Sequence, residues 1–343
     1  MSLAPAVERP TRASTFPPLR RRIKESGLLR RRPGYYVGML AMNLISIGAV
    51  AAAMLAIGPS WWALLLAVPA AILTGRTGFV GHDAGHEQIS SKHKVNQFVG
   101  LLHGNLILGM SYGWWNRKHS AHHANPNHHE LDPDVQVGAL AWSKDHARGR
   151  ESGVTKWLTR NQAYLFFPML LLEGFNLKLS SIVALRERTR NQRIIEIALL
   201  VAHTVGYVGF LLLVLTPLQA LVFALVHHML FGLHLGMAFA PNHKGMPAPE
   251  PGQEWDHLQR QVLTSRNVRG GVLTDWFLGG LNYQIEHHLF PSMPRANLPK
   301  AVPIVRQYCA EIGVPYAEAS IVGSYREAIE YLHEVGEPLR LDF

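Results

Sequence analysis

Three short runs carry seven histidines at helical spacing: His82-Asp83-Ala84-Gly85-His86, His119-Ser120-Ala121-His122-His123 and Gln284-Ile285-Glu286-His287-His288. On an α-helix, residues three or four positions apart share a face, so each run aims its imidazoles in one direction and can grip one ion or a pair. Imidazole suits iron, zinc, copper and nickel, and the lack of thiolate partners removes iron–sulfur and structural-zinc readings. One such run alone is more often a pair of hydrogen-bonded or surface side chains. Three runs in 343 residues point to a metal site. With eight or so nitrogens and no sulfur the set is too rich for one zinc ion, which takes four ligands and in catalysis three from protein, so two ions are implied. Two imidazole-bound metals beside a membrane suit attack on an unactivated C–H bond, and iron with dioxygen is the cofactor chemistry capable of it.

The elements that position these runs are read from where the apolar residues fall. Hydrophobic residues make up 48% of the chain while the mean hydropathy is only +0.05, so they are concentrated rather than spread. Tyr35 to Gly75 is 41 residues without one Asp, Glu, Lys or Arg, and Ile197 to Asn242 is another 46. A spanning helix needs about 20 apolar residues, so each stretch is two spans joined by a tight turn, at Pro59-Ser60 and at Thr216-Pro217. The expected spans are 35–57, 61–79, 194–215 and 218–240, and the backbone's need for internal hydrogen bonds in lipid makes them helices. The fold class expected is an all-α integral membrane protein, four transmembrane helices in two hairpins under a helical cytoplasmic cap that holds the dimetal site.

Residues 1–34 contain nine Lys or Arg against two Glu, and the two turns contain none. By the positive-inside rule the N-terminus, the segment from about 80 to 193 and everything after about 243 face the cytoplasm, which puts all three boxes on one side. Val95 to Asn116 is also uncharged and long enough to cross, but crossing would strand box two opposite box one. With His103, Asn105, Gln97 and four glycines it reads as a re-entrant or interfacial segment. Asn161 to Leu172 reads as a segment too short to span, lying at the interface. Residues 1–33 read as a mobile basic arm able to touch anionic lipid, with 34–300 as the membrane domain and 301–343 as a helical cytoplasmic tail. The arm lacks the short apolar core and small-residue cleavage site of a secretory signal. Cys309 permits no internal disulfide. The net charge of +9 is largely topological bias, and a basic face also suits an acidic electron donor or a coenzyme-A thioester. There is no internal repeat, phosphate-binding Gly loop or nucleic-acid motif.

With their flanks, Trp114-Trp115-Asn116-Arg117-Lys118 before box two and Asn282-Tyr283 before and Leu289-Phe290-Pro291 after box three, the runs resemble those of the membrane fatty acid desaturases. The likeness covers about residues 35 to 300, and Gln284 at the head of box three is similar to the front-end type. It implies a four-helix membrane fold with two irons under a cytoplasmic cap, dioxygen as co-substrate, and a cis double bond placed in a long acyl chain carried on coenzyme A, acyl carrier protein or lipid. It implies as ligands His82, His86, His119, His122, His123, His287 and His288, with an eighth just after the fourth span, where His243 is preferred to His234. No His-Pro-Gly-Gly haem motif occurs, so electrons are expected from a separate ferredoxin-like or flavin-linked reductase. The expected location is a bacterial cytoplasmic membrane.

Carboxylates near the boxes are candidates to hold the far nitrogen of a bound imidazole: Asp83, Glu87, Glu130, Asp132, Asp134, Asp275 and Glu286. Trp114 and Trp115 could wall an acyl channel or anchor the interface. His227 and His228 read as packing residues inside the membrane. The nearest rival is a diiron lipid hydroxylase or ketolase. A membrane metal transporter would put its ligands within the spans rather than on one side of them.

Overall fold

The computed structural model describes residues 14–249, 253 and 255–341. Helix α1 (Phe16–Glu25) precedes α2 (Pro33–Ile57), which starts on a proline at its first turn and stops at Gly58 with φ of +66°. Ser60 caps a 3₁₀ turn, Trp61–Leu66, whose axis runs on into α3 (Ala67–Gly85). This second helix does not stop at 79 as expected but continues to Gly85, so box one sits on its last turn. The uncharged stretch after it breaks into α4 (His93–Leu101), a π-helical segment Leu102–Leu108, and a left-handed Gly109 that turns the chain into α5 (Tyr112–Ala124). Two short helices follow, α6 (Lys144–Arg148) and α7 (Gly153–Arg160), then α8 (Gln162–Val183). The second long uncharged stretch forms α9 (Arg190–Val214) and α10 (Pro217–His243), the latter started by a reciprocal cap between Thr216 and Gln219.

Beyond α10 lie α11 (His257–Leu263), strand β1 (Asn267–Arg269), α12 (Val272–Phe277), α13 (Gln284–Leu289) and α14 (Leu298–Glu311). Strand β2 (Glu318–Ser320), α15 (Ile321–Val335) and α16 (Pro338–Leu341) complete the described chain. β1 and β2 pair in parallel, Val268 opposite Ala319, so the architecture is helical apart from one two-stranded pair.

Two expectations are corrected. Residues 16–25, read as part of a mobile arm, form a helix whose Leu19 and Ile23 are fully buried against Leu298, Ala301, Val305 and Cys309. Residues 1–13 lie outside the described residues. Residues 161–172 are not a short interfacial segment but the first half of a 22-residue helix, since Glu173 and Lys178 interrupt the apolar run without ending it. Five helical stretches are long and apolar enough to cross a membrane among the described residues, one more than the four spans expected: 33–57, 61–85, 162–187, 190–214 and 217–243.

The two glycines where α8 meets α10 let their backbones touch. A β-carbon on Gly174 would lie 2.4 Å from the His228 carbonyl oxygen, and one on Gly232 would lie 2.4 Å from the Gly174 nitrogen. Below the membrane helices, Leu258, Val262, Ile285, Leu289, Met293 and Val305 make a separate apolar core that holds α11, α13 and α14 together.

Candidate metal centre

Four helix ends converge. His82 lies in the last turn of α3 and His86 caps it, His119, His122 and His123 ride the last two turns of α5, His243 ends α10, and His287 and His288 are on α13. His82, His86, His119, His123 and His287 each place a ring nitrogen within 4.8 Å of the others, and His122, His243 and His288 form a second such group. The groups abut, because the rings of His123 and His288 stack with centroids 4.1 Å apart.

Most of these nitrogens face one another. Nε2 of His287 stands 3.1 Å from Nε2 of both His82 and His123, Nε2 of His119 is 3.0 Å from that of His123, and Nε2 of His122 is 3.3 Å from that of His243. Behind four of the rings the other nitrogen is committed. Nδ1 of His82 donates to Asp83 (3.1 Å), that of His122 to Asp132 (2.9 Å), that of His243 to the Thr264 carbonyl (2.9 Å) and that of His288 to Gln261 Oε1 (2.9 Å). A proton held on Nδ1 leaves a lone pair on Nε2, aimed inward. Nε2 of His86 and of His288 are buried without a hydrogen-bond partner among the described residues. Burial, reinforced by the neighbouring imidazoles, holds His119, His123, His287 and His288 well below the usual histidine range. Convergent ring nitrogens in two adjoining groups, with the Gln284 amide nitrogen 2.8 Å from His243 Nε2, fit a pair of N-ligated cations.

Of the seven carboxylates singled out, three meet the imidazoles: Asp83, Asp132 and Asp134, the last 3.5 Å from His122 Nδ1. Asp83 is braced by Arg295 at 2.8 Å, and Asp132 also accepts from the Asn127 backbone N–H at 2.8 Å. Burial pushes the Asp134 carboxyl up, but Lys118, His122 and Lys244 outweigh it and hold the group ionised well below the usual carboxylate range. Glu87 pairs with His93, Asp275 binds Asn282 and Tyr283, and Glu130 touches no box imidazole. Glu286 points away from the metals. It accepts from Tyr316 (2.6 Å) and Asn267 (2.8 Å), while Asn267 Oδ1 takes the Ile285 N–H, so β1 clamps the start of α13. Burial raises Glu286 to about 7 against those hydrogen bonds. Arg295, Gln261, Thr264 and Asn267 carry no signal in the sequence, because isolated polar residues have no spacing to mark them.

The remaining histidines stay outside both groups. His103 donates to the Val99 carbonyl, His234 meets the Phe277 carbonyl, His129 faces His146, His257 lies edge-on to Phe16 and His333 to Tyr164. His227 and His228 sit inside the membrane helices.

A cavity of about 630 Å³ opens on both groups. His82, His119, His122, His243 and Gln284 face it at one end, and Leu108, Trp114, Phe166, Leu170, Leu235 and Phe239 line it, with Lys118, Asp134 and Lys244 also in its wall. Trp115 stacks on His119 at 4.5 Å, so it is both cavity wall and ring support.

The family model described as fatty acid desaturase matches residues 59–320. Over 320 residues the chain is 33% identical to the acyl-lipid (9-3)-desaturase of Physcomitrium patens, covering 88% of this chain and 59% of that protein. It is 32% identical over 252 residues to the delta(8)-fatty-acid desaturase of Euglena gracilis, 70% of this chain and 59% of the other. It is 28% identical over 341 residues to the delta(6)-fatty-acid desaturase of Caenorhabditis elegans, 95% of this chain and 76% of that one. The chain thus spans about three-fifths of the length of the first two. All three histidine boxes lie within the matched residues, the match covers most of the chain's length, and by it the chain belongs to the fatty acid desaturase family.

Proposed function

We propose that this chain is a diiron acyl desaturase. The observation that carries the reading is the double group of inward-facing imidazoles at the end of an apolar cavity. His82, His86, His119, His123 and His287 would hold one iron, and His122, His243 and His288 the other, with Gln284 Nε2 2.8 Å from His243. Bound there, the irons would supply dioxygen activation, the chemistry that an unactivated C–H bond requires. The chain's own residues do the rest. Asp83, Asp132, Gln261 and the Thr264 carbonyl fix each ring's tautomer and direction. The cavity walls bend a long acyl chain, place one carbon pair at the imidazole end and keep water away from it. Lys118 and Lys244 offer cationic contacts to an anionic carrier, whether coenzyme A, acyl carrier protein or lipid. Relatives named for delta(6), delta(8) and (9-3) desaturation support a front-end position for the new double bond.

The reading includes four spans and a cytoplasmic site. Between box two and box three lie α8, α9 and α10, and an odd number of crossings would put the boxes on opposite sides. Their convergence therefore supports α8 as a helix that dips and returns, consistent with Arg188, just beyond its end, pairing with Glu196 near the start of α9 at 2.8 Å. The basic flanks favour the cytoplasm for this face. The relatives named above are plant, protist and animal proteins and lend no weight to a bacterial membrane. Electrons would come from a ferredoxin-like or flavin-linked donor.

The test is joint metal and product analysis of the full chain expressed with a reductase system. About two irons per chain and a new unsaturated acyl product, both lost on His122→Ala, are expected. An added hydroxyl in place of a double bond, or zinc with no acyl product even when electrons are supplied, would overturn it.

A further inference from the structure

A second cavity, about 410 Å³, lies among α2, α3, α9 and α10, and the metal centre makes no use of it. Apart from Thr77, which is paired with Asn43 and the Leu73 carbonyl, its polar wall is one cluster: Thr74, Lys178, His203, Tyr207, His227 and His228. Leu108 lines both this cavity and the metal-facing one.

The hydrogen bonds assign the cluster's protons. Thr74 donates to the Ala70 carbonyl at 2.8 Å, so it accepts from His227 Nε2 at 2.9 Å, and His227 Nδ1 then accepts from the Tyr207 hydroxyl at 2.7 Å. His203 donates through Nδ1 to the Leu106 carbonyl at 3.0 Å and accepts from the Lys178 ammonium at 3.3 Å. That carbonyl belongs to the π-helical segment, and Gly109 beside it makes room, since a β-carbon there would lie 2.2 Å from the His203 ring. His228 donates through Nδ1 to the Ala224 carbonyl at 2.8 Å, which leaves its Nε2 lone pair. Two needs are left over. Lys178 makes no ion pair with a carboxylate among the described residues and keeps two spare N–H donors, while His228 keeps an acceptor. An ammonium inside an apolar region of a membrane protein is costly unless paired, and such residues mark binding sites more often than packing.

We propose that this second cavity binds the carboxyl end of a free long-chain fatty acid, with the chain lying along Ile47, Val50, Met54 and Phe210. A carboxyl group meets both needs at once. Protonated, it donates to His228 and accepts from Lys178; ionised, it neutralises Lys178. An ester can only accept from Lys178, neither neutralising it nor donating to His228, and an alkane does none of these.

The test uses the full chain in phosphatidylcholine nanodiscs, with [1-¹³C]oleic acid titrated and followed by its carboxyl resonance. One oleate per chain is expected, with methyl oleate at least tenfold weaker. Lys178→Met should weaken oleate binding at least tenfold and Lys178→Arg should restore it. Gly206→Phe, whose β-carbon meets nothing within 4 Å, should fill the cavity and block binding. His122→Ala, in the metal centre alone, should leave it intact. Equal binding of oleate and its methyl ester, tighter binding of dioleoyl phosphatidate than of oleate, or retention of oleate by Lys178→Met would overturn the proposal.

Discussion

The box histidines depend on groups that no box contains. Asp132 is fully buried, and its one carboxylate both receives His122 Nδ1–H and ties down the Asn127 backbone. Asp132→Ala should lower iron affinity about 10- to 100-fold with the protein still folded, read by chelator competition on the purified chain. Unchanged affinity would mean that His122 is held by its helix alone. Cys309 offers a pH test. It is fully buried, and burial pushes its thiol up to about 12. A raised thiol pKa keeps the reactive thiolate absent below that value, so maleimide at pH 8 should leave native protein unmodified and label it only after unfolding. The box residues were legible because spacing of three and four on a helix is itself geometric information. Gln261, Thr264 and Arg295 were not, because each reaches its partner across a tertiary contact that no local period announces. Asp83 and Asp132 could be guessed by proximity, but so could Glu87, Glu130 and Asp275, and sequence does not say which way a carboxylate turns.

At the scale of elements, α5 has to start at a fixed place for box two to meet the others. Glu196, 1% exposed, fixes it: it accepts from Ser111, the residue that caps α5, and from Asn105 at 3.3 Å, and it pairs with Arg188. Glu196→Ala strands a partly buried guanidinium and leaves Ser111 and Asn105 without their acceptor, and should cost about 1–3 kcal/mol. Thermal unfolding in detergent, together with iron content, would show it, and an unchanged melting point would remove Glu196 from this role. Gly232→Leu should likewise force α8 from α10 at a cost of about 1–3 kcal/mol or more, since the obstruction is backbone. The two long charge-free stretches named α2, α3, α9 and α10 to within a few residues. The length of α8 was misjudged because a rule based on unbroken apolar runs stops at Glu173, whereas a partly protein-covered helix tolerates two charges. The β1–β2 pair escaped notice because three-residue strands carry too few residues for alternation to register.

For the molecule as a whole, the arrangement of crossings can be read by chemical labelling from each side of the membrane. Single cysteines at Glu151 and Asn191, before and after α8, should label from the same side, and one at Pro59, between α2 and α3, from the opposite side. Glu151 and Asn191 labelling from opposite sides would establish five crossings. The basic N-terminal stretch looked detached because its charges were read and its Leu19, Ile23 and Leu28 were not. Those three side chains seat on the core beside α14, Arg22 pairs with Glu311 at 2.7 Å, and the Tyr308 hydroxyl donates to the Thr15 carbonyl at 2.7 Å. α1 therefore waits during synthesis for a helix made far later in the chain. Until α14 has left the ribosome, α13 has no floor and His287 and His288 have no fixed place. A ribosome stalled before α14 would leave the imidazole cluster unclosed, however completely the earlier helices had formed.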